Sequence, residues 1–540
     1  MADRSPSLWL TRRETLTGAL ALAAVPWGMT RAATTDTQAF VRRSVTGPDI
    51  GPALASYKRA IRAMLALPAG DPRNWYRQAI IHLVDCPHGN WWFLPWHRGY
   101  LFHFEAICRE LSGDPGFALP FWDWTNAPRI PDVLYDDVLT PAHERYEASF
   151  ETFRPKFEAA IADTWNGLTP VQRAQLDLRG LASAGDLWDR LEPYFSKREE
   201  ARGLMQDKPD LPDWAKTEVG PERVKAALAP KRFEDFGSTP SADHHQRAIQ
   251  DTLESGPHNN IHNAVGFGSG FMSELMAPVD PIFWLHHANV DRLWDLWTRR
   301  ERQAGRTALP DETARWSKEP FAFFAEPDAT SERYLETEAL GYRYGPGFGD
   351  AILGESHGAL APLPVLQESG AARFEGEKVH AALRTDAEAS ADVRVPSALL
   401  VAAREKIKKK KRRGGAHSTP GVAATHEEEP ELVAQITLAP PQEPRAVRVL
   451  FFMNCSYLSP ETPVSDPHYV GSLTFFGLHG GGHHGTQVIA TLPLNAALQR
   501  IAETGLPVMN TVKLQGIAVR DDGAHKVLDG ALVQVTVKTV

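Results

Sequence analysis

The amino-acid sequence predicts a mainly α domain followed by a C-terminal β-sandwich-like domain. Apolar residues recur at helical spacing over most of the stretch from about Gln38 to residue 302. After Glu431 the pattern changes to alternating apolar residues and β-branched runs, which are typical of strands. A polar region that begins near Gly345-Pro346-Gly347 separates the two patterns. The predicted parts are a signal segment at 1–35, a helical domain at 36–345, a linker at 346–430 and a β-rich domain at 431–540.

The overall composition is that of an ordinary soluble globular protein. The 540 residues are 43% hydrophobic and 23% charged, and the formal net charge is -9. Basic residues cluster in one local run, Lys406–Arg413, so the chain lacks the broad basic surface of a nucleic-acid-binding protein. Three cysteines are too few for a disulfide framework in a chain of this size. No segment after the N-terminal run is apolar over enough residues to predict a membrane-spanning helix.

The first residues have the pattern of an export signal. Arg12 and Arg13 form a twin-arginine pair, and a short apolar run from Leu16 to Val25 follows them. Because that run is too short to span a bilayer, a cleaved twin-arginine signal is the preferred interpretation. An accidental arginine pair before an apolar helix is the alternative. The signal predicts a periplasmic or secreted protein.

Several amphipathic stretches are predicted to build the helical domain. In one of them His97, Leu101 and Glu105 share a single helix face. The aromatic segment Ala118–Trp124 is predicted to be extended. The predicted helices are Ala53–Leu67, Arg73–Leu83, Trp96–Leu111, His244–Leu253 and 281–302.

The predicted linker carries like charges in blocks. The basic run Lys406–Arg413 and the acidic run Glu427–Glu429 are typical of a solvated connecting segment. A processing site or a contact with an anionic partner is the alternative interpretation. Six short runs of β type follow, which predicts a small sandwich or barrel. They are Leu432–Leu438, Val447–Met453, Val470–Phe476, Gln487–Leu492, Val508–Val519 and Leu532–Val537.

Histidines occur in two groups that are far apart in the sequence. In the second group, His258 and His262 are one helical turn apart, so both imidazoles can reach one metal ion, although solvated or core histidines also show this spacing. His287 is the predicted third ligand, and Asp291, one turn later, is placed to accept the other ring N–H of His287. His286 would point about 100° away on the helix and is expected to be structural. No glutamate follows His258, which disfavours an H-E-x-x-H zinc protease.

The first group combines His82, His88 and His97 with Cys86 in a stretch rich in tryptophan and proline. Three neutral imidazoles suit copper or zinc, and the scarcity of carboxylates disfavours magnesium and calcium. Two all-histidine triads favour a pair of copper ions over a hydrolytic dinuclear site. The Cys86 thiol lies two residues from His88, where it would either ligate a metal or bond oxidatively to the imidazole ring. The tryptophans around these histidines either fill a hydrophobic core or surround a metal site and exclude water from it.

The longest motifs resemble the signature of the type-3 copper proteins, the superfamily of tyrosinases, catechol oxidases and molluscan haemocyanins. The residues that carry the resemblance are Cys86–Gly89, Phe93–Leu101 and Asp280–Trp294. Within the superfamily, the chain is similar to bacterial tyrosinase-like polyphenol oxidases with an appended C-terminal domain. Residues Leu340–Tyr344 resemble the tyrosine motif that closes the family's catalytic domain, and the arginine partner of that motif would be Arg42 or Arg43.

The resemblance implies a mainly α catalytic domain whose four-helix-bundle core holds a dicopper site. It also implies a thioether bond between Cys86 and His88, which part of the family has at the matching cysteine. Only five residues separate His82 from His88, whereas the family usually has a longer loop there, so His82 departs from the family pattern. One copper ion is assigned to His82, His88 and His97, and the other to His258, His262 and His287.

The activity that the resemblance implies is that of a tyrosinase, which uses O2 to hydroxylate monophenols and to oxidise o-diphenols to o-quinones. Glu254 and Asn259 match a glutamate and an asparagine that hold a phenol-deprotonating water in tyrosinases. A helix cap and a solvated polar residue are the alternative roles. Phe283 is expected over the copper pair, and Asn263 is expected at the mouth of the pocket. A catechol oxidase, an oxygen-binding haemocyanin-like protein and a metal-storage protein are the competing interpretations.

The C-terminal domain resembles the shielding domains of this superfamily, which insert a side chain into the copper pocket as a plug. Ser465–Val470 and Phe475–His484 are the candidate plug segments. In the second of these, three histidines in a glycine-rich stretch would either handle copper or form an exposed turn. They are His479, His483 and His484. The expected partners are small phenols and O2, with no nucleic acid and no membrane span, and a homo-oligomer is left open.

Overall fold

The computed structural model describes residues 39–310, 315–324, 329–354, 372–403, 431–442, 444, 447–477, 487–506, 510–520 and 527–540. Four sequence-based predictions lie outside the described residues. They are the twin-arginine segment at 1–35, the basic run at 406–413, the acidic run Glu427–Glu429, and the histidines His479, His483 and His484. In the described ranges, no helix combines the length and the apolar character needed to cross a bilayer.

The first part of the chain is mainly helical, as predicted. A π-helical turn at Glu254–His258 leads directly into one of the central helices. Among the described residues the α-helices include α1 (Gly51–Ala66), α2 (Trp75–Asp85), α3 (Phe93–Ser112), α4 (Phe150–Asn166), α5 (Pro170–Leu178), α6 (Ala184–Tyr194), α7 (Asp213–Glu218), α8 (Pro221–Ala227), α9 (Phe233–Phe236), α10 (Asn259–Gly266), α11 (Ile282–Gln303), α12 (Arg315–Lys318), α13 (Ala351–Gly354) and α14 (Asn495–Glu503). Short 3-10 turns cover Asp132–Tyr135, Asp137–Leu139, Arg198–Glu200, Phe271–Ser273, Ala277–Val279 and Ser331–Tyr334.

Side-chain oxygens accept backbone hydrogen bonds at the starts of two histidine-carrying helices. The Asn74 side chain accepts a hydrogen bond from the backbone N–H of Tyr76 at 2.9 Å, so α2 begins at Trp75, slightly later than predicted. Asp280 Oδ1 accepts from the backbone N–H of Ile282 at 3.1 Å at the start of α11. Each carboxylate or amide oxygen satisfies a backbone donor that the first helical turn leaves without a partner.

Four helices, α2, α3, α10 and α11, form the bundle at the centre of the helical domain, which confirms the predicted fold class. Tyr100 on α3 donates a hydrogen bond to a backbone carbonyl of α2 at 2.6 Å. Phe104 on α3 stacks on Trp284 of α11, with ring centroids 3.4 Å apart. The His262 ring on α10 lies edge-on to Phe283 of α11 at 5.9 Å. Aromatic and polar contacts therefore join all four helices around the histidines.

The segment predicted as a helix at His244–Leu253 is helical only at its last two residues, so the prediction was wrong for 244–251. Asp243 Oδ1 accepts hydrogen bonds from the backbone N–H groups of His245 and Gln246, at 2.9 and 2.7 Å, so the segment opens with a turn. Ile249–Gln250 then forms strand β2, which pairs in parallel with a strand of the C-terminal domain. A hydrogen-bond partner far away in the sequence thus overrides the local helical pattern.

The C-terminal domain is a β-sandwich, as predicted. Each of the six predicted strands is present, with ends shifted by a few residues. The strands of the described residues are β1 (Phe40–Arg42), β2 (Ile249–Gln250), β3 (Tyr342–Tyr344), β4 (Arg373–Glu375), β5 (Ala381–Arg384), β6 (Ala389–Arg394), β7 (Leu432–Ala439), β8 (Val447–Met453), β9 (Tyr469–Thr474), β10 (Val488–Pro493), β11 (Thr511–Arg520) and β12 (Val527–Thr539). One sheet has the order β2–β10–β7–β12–β4, with β5 also on β12, and the other has the order β6–β11–β8–β9. A second apolar core lies between these sheets, and β1 and β3 form a separate parallel pair.

The predicted linker at 346–430 is only partly a connecting segment, because three strands lie within it. β4 and β5 pair with β12, and β6 pairs with β11. Buried positions alternate with more exposed ones along β6, and its small residues Ala389 and Ala391 face the core. Small and polar residues of this kind give little apolar contrast, so the sequence pattern alone did not indicate strands here.

The β-sandwich is hydrogen-bonded to the helical domain beside the central bundle. Ser255 Oγ donates to the backbone carbonyl of Thr491 at 2.8 Å. Asn263 Nδ2 on α10 donates to Thr474 Oγ1 at 2.9 Å. Together with the pairing of β2 and β10, these bonds place β9 and β10 against the start of α10.

Candidate metal centre

Six histidines predicted from the sequence converge in the bundle, and none is more than 7% exposed. The two sets lie side by side, because the His97 and His287 rings stack with centroids 4.4 Å apart and planes at 9°. The His88 and His258 rings also stack, at 5.8 Å. The first set is His82 on α2, His88 in the following loop and His97 on α3; the second is His258 at the end of the π-helical turn, His262 on α10 and His287 on α11.

Backbone carbonyls orient two rings of the first set. His82 Nδ1 lies 2.7 Å from the carbonyl oxygen of Leu275, and His97 Nδ1 lies 2.7 Å from that of Phe93. A carbonyl can only accept, so each Nδ1 carries the proton and each Nε2 has a free lone pair. The two Nε2 atoms are 3.5 Å apart. Two bare acceptors that face each other at this distance need a cation between or beside them.

The second set is built in the same way. His262 Nδ1 donates to the carbonyl oxygen of Met272 at 2.7 Å, which leaves its Nε2 lone pair 3.3 Å from His287 Nε2. His258 Nδ1 lies 2.9 Å from Asn259 Oδ1. The π-helical turn with a proline that precedes α10 brings His258 into the site, and such turns are frequent at functional sites.

The donor set fits soft or borderline divalent metal ions. His88 Nε2 and His258 Nε2 are buried and have no hydrogen-bond partner among the described residues. Burying an imidazole nitrogen without a partner costs free energy that a metal bond would offset. Burial lowers the pKa of His82 and of His258 to about 3, so both rings are neutral at neutral pH and metal binding displaces no proton from them.

His286 lies close to the second set, although the sequence suggested a structural role. Its ring is 5.3 Å from that of His258 and 4.8 Å from that of His262. Neither ring nitrogen of His286 has a hydrogen-bond partner among the described residues. His287 is nevertheless the ring that stacks on the first set and faces His262 Nε2, which makes it the better bridge between the two groups.

Cys86 belongs to the first histidine set in space. Its Sγ lies 3.3 Å from His88 Nδ1 and is buried. Burial raises the pKa of the Cys86 thiol to about 12, so the sulfur is protonated at neutral pH. Arg179 donates a hydrogen bond to the backbone carbonyl of Leu83 at 2.7 Å and another to that of Cys86. The short loop between His82 and His88 is therefore held by an arginine from a distant helical segment.

Asp291 does not accept a hydrogen bond from His287, contrary to the prediction. His287 Nδ1 has no hydrogen-bond partner in the described part of the chain. The Asp291 carboxylate instead accepts from Arg98 Nε at 2.5 Å and lies 3.2 Å from Arg42 Nη1. Two buried guanidinium groups, which lie far away in the sequence, attract this carboxylate more strongly than a neutral imidazole one turn earlier does.

The tyrosine motif meets its predicted arginine partner, which is Arg42. The Arg42 guanidinium lies over the Tyr342 ring at 3.7 Å and donates to Tyr344 Oη at 2.9 Å. Both tyrosine hydroxyls also donate to Asp291 Oδ2, at 2.6 and 2.5 Å. On its other side, Arg42 Nε donates to Glu105 on α3 at 2.8 Å. This network ties β1 and β3 to the bundle behind the histidines.

Glu254 is buried next to the histidine sets. Its Oε1 accepts from the backbone N–H of Gly89 at 2.8 Å, and its Oε2 lies 3.4 Å from Ser238 Oγ. Burial, followed by the nearby charge of Asp251, raises the pKa of Glu254 to about 8. Sequence reasoning did not identify Ser238 and Asp251, which contact Glu254 from a loop and carry no motif.

Two phenylalanines line the site. Phe283, which was predicted near the metals, lies 5.0 Å from the His82 ring and 4.3 Å from the His287 ring. Phe476 extends from the end of β9 into the helical domain, where its ring stacks on His262 at 4.0 Å and lies 5.4 Å from His88. Phe476 is 2% exposed and belongs to the core of the helical domain.

Comparisons with known proteins identify the same region. Residues 71–300 match the family model described as the common central domain of tyrosinase. Over 267 residues the chain is 31% identical to the latent form of a chloroplastic polyphenol oxidase from Prunus armeniaca, a match that covers 45% of this chain and 38% of the relative. Over 356 residues it is 27% identical to the tyrosinase HcTyr1 from Hahella sp. (strain CCB-MM4), which covers 59% of this chain and 65% of the relative. The chain thus matches less than two thirds of the length of these relatives.

A solved structure supports the whole architecture. The structure of latent aurone synthase, a polyphenol oxidase, from its natural source superposes with a TM-score of 0.55 at 19% identity. The superposition covers 94% of this chain and 91% of the other, so the likeness in fold includes the β-sandwich. With the family match and the two convergent histidine sets, residues 71–300 belong to the tyrosinase central-domain family of type-3 copper proteins.

Proposed function

We propose that the chain is a tyrosinase, which hydroxylates monophenols at the ortho position and oxidises the resulting o-diphenols to o-quinones. The observation that carries the proposal is the pair of buried histidine triads with inward-facing Nε2 atoms. A monophenol and O2 would give one o-quinone and one water, and two o-diphenols and O2 would give two o-quinones and two waters. The catalytic unit corresponds to the proposed domain at 36–345, and the shielding domain to 431–540 with the three strands that precede it.

The residues that would hold two copper ions are the six predicted histidines. His82, His88 and His97 would hold one ion, and His258, His262 and His287 would hold the other. Copper would supply the reduction of O2 and the oxidation of the phenol. The protein supplies neutral ligands, a pocket lined by Phe283 and Phe476, and groups that accept the phenol proton.

Glu254 is the proposed base. A phenol with a pKa near 10 is mostly protonated at neutral pH, so its reaction requires a nearby acceptor. Burial gives Glu254 a pKa of about 8, which makes its carboxylate a stronger base than an exposed glutamate. Asn259 fixes the neighbouring ligand His258 through its Oδ1 and would share a water with Glu254. The hydrogen bond from Gly89 also connects the base to the loop that carries His88.

The decisive experiment is oxygen uptake by the copper-loaded chain, with a monophenol and with an o-diphenol. Uptake with both substrates supports a tyrosinase, and uptake with the diphenol alone supports a catechol oxidase. Reversible oxygen binding without turnover of either substrate, after the pocket has been opened by substitution of Phe476, would instead indicate an oxygen carrier. The alternative of a catechol oxidase is retained because the same histidine triads serve both activities.

Replacing Asn259 with alanine is expected to lower the ratio of monophenol to diphenol turnover by roughly 10-fold or more, within the range of a lost proton-transfer contribution. The reason is that only the monophenol must lose its proton to a base that this side chain helps to place. The ratio of initial rates on a matched monophenol and diphenol measures the effect.

Glu254→Gln is the companion variant, and its turnover ratio should fall in the same direction. Because the base acts in its ionised form, monophenol turnover by the unsubstituted protein should rise as the pH increases through about 8, and Glu254→Gln should lose this rise. Copper content serves as the control for both variants. An unchanged turnover ratio in Asn259→Ala with full copper content would refute the assignment.

A thioether between Cys86 and His88 is proposed for the mature protein. Bond formation between Cys86 Sγ and a ring carbon of His88 would remove one hydrogen from each, and O2, the oxidant of the proposed reaction, would take up the two electrons and two protons as hydrogen peroxide. The 3.3 Å contact between Sγ and the ring supports this bond. Peptide mass spectrometry of copper-loaded protein should show the two residues crosslinked and two hydrogens lighter. A thiol that still reacts with alkylating reagents after unfolding would contradict the bond.

Export by a twin-arginine signal at 1–35 is also proposed, on the basis of Arg12, Arg13 and the following apolar run. Fractionation of cells that express the full chain would test it. Replacement of both arginines with lysine should leave the protein in the cytoplasm.

A further inference from the structure

Arg247 lies beside the pocket, and the reaction proposed above does not use it. Its Cγ is 3.5 Å from the position that a Cβ would take on Gly89, the residue after His88. Its Nη2 is 3.6 Å from the position that a Cβ would take on Gly477, the residue after Phe476. The side chain therefore extends from the loop of the first histidine set to the base of the Phe476 side chain.

The Arg247 guanidinium is incompletely paired. Its Nη1 is buried and has no hydrogen-bond partner among the described residues. Glu254 is the acidic group that acts most strongly on the charge of Arg247, but its two oxygens contact Gly89 N–H and Ser238 Oγ. Burial without pairing lowers the pKa of Arg247, partly offset by the charge of Glu254. A buried guanidinium donor without a partner costs free energy, which an anionic ligand would recover.

Phe476 serves as a template for the size of that ligand. Its ring stacks on His262 at 4.0 Å, where a phenol ring would have to lie to reach the second histidine set. The ring is followed by Cβ, Cα and the carbonyl carbon, which is bonded to the nitrogen of Gly477. A substrate ring in the same place, with a two-carbon chain that runs beside the backbone of residue 476 and ends in a carboxylate, would bring that carboxylate toward Gly477. This position is next to Gly477 and hence within reach of Arg247.

We propose that Arg247 binds the carboxylate of phenols that carry a propanoic or acrylic acid chain para to the hydroxyl. Binding requires that the Phe476 ring no longer fills the pocket. The proposal rests on the proposed function for its substrate class. Arg247 is then a residue that determines specificity, because it selects among phenols by the charge at the far end of the molecule. The competing role for Arg247 is that of a structural countercharge to Glu254, which would affect charged and neutral phenols alike.

The test compares an acid with its neutral ester in the full-length, copper-loaded chain that carries Phe476→Ala. The ratio of kcat/KM for dihydrocaffeate to that for its methyl ester should fall roughly 10- to 100-fold in Arg247→Gln, the range for a lost charge-assisted hydrogen bond. Arg247→Lys should restore part of the ratio, because it keeps the charge. Arg343→Gln, which removes an exposed arginine, is the matched control and should leave the ratio unchanged.

A ratio that does not change in Arg247→Gln, or equal losses on the acid and the ester, would overturn the proposal. Binding provides a second readout that needs no turnover. Calorimetric titration of the same variants with hydrocinnamate and hydrocinnamamide should show that Arg247→Gln weakens binding of the acid alone. If neither dihydrocaffeate nor its ester is oxidised, the proposed function fails, but the titration still decides the role of Arg247. Equal binding of the acid and the amide to the protein that retains Arg247 would refute the proposed carboxylate site.

Discussion

Replacing Phe476 with alanine in the full-length, copper-loaded protein is expected to raise kcat/KM for o-diphenols roughly 10- to 100-fold. The Phe476 ring occupies the space against His262 that a substrate ring would need. Burying a phenylalanine side chain contributes about 1.5–3 kcal/mol. That free energy favours the closed pocket over the open one by roughly 10- to 100-fold.

The neighbouring Phe475 provides a matched control. Phe475 is equally buried but belongs to the core of the β-sandwich. Phe475→Leu should lower the stability of the sandwich and leave the pocket filled, so activity should stay near that of the unsubstituted chain. Steady-state oxygen uptake at several diphenol concentrations measures the effect. Equal activity of Phe476→Ala and the unsubstituted protein would show that the ring does not limit access.

Replacing Asp291 with asparagine is expected to destabilise the protein by about 3–5 kcal/mol, the range for removing one partner of a buried ion pair. The substitution removes the buried salt-bridge partner of Arg98 and one of the two carboxylates that pair with Arg42, the other being Glu105. It also weakens the acceptor for the hydroxyls of Tyr342 and Tyr344. Denaturant unfolding followed by tryptophan fluorescence measures the change in free energy.

The pH dependence of this effect follows from the sign of the pKa shift. Burial alone would raise the pKa of Asp291, but Arg98 and Arg42 prevail and lower it. A carboxylate with a lowered folded-state pKa contributes stability above its unfolded pKa of about 4 and loses it as the pH falls through the folded value. The difference between Asp291→Asn and the unsubstituted protein should therefore be largest near neutral pH and shrink in acid. Asp350→Asn, which removes the partly exposed partner of Arg292, should cost no more than about 1 kcal/mol.

Local motifs in the sequence were sufficient to predict the histidine sets. His258 and His262 are one turn apart, so their convergence follows from helix geometry. His82 was in doubt because of the short spacing to His88, yet its ring faces His97 as a ligand would. The short loop is accommodated because Arg179 holds its backbone carbonyls, a contact between segments far apart in sequence that no local pattern could indicate.

Contacts between distant segments account for what the sequence did not predict. Asp291 had the correct spacing to meet His287, but the choice between an imidazole and two arginines depends on how β1 and α3 pack against α11. The segment before Glu254 had a helical pattern, but it pairs with β10, which lies more than two hundred residues later. Phe476 lies within a predicted plug segment. It is this residue, and not a neighbour, that reaches the histidines because β9 ends at Thr474.

The pairing of β2 with β10 has a practical consequence for producing the helical domain alone. A chain that ends before the β-sandwich would leave the backbone groups of Ile249 and Gln250 without their partners in β10. It would also expose the apolar surface that Phe476 now covers. Unpaired strand edges next to apolar surface promote association between molecules. Such a truncated protein should form aggregates more readily than the full chain, and a point substitution at Phe476 is the milder way to open the pocket.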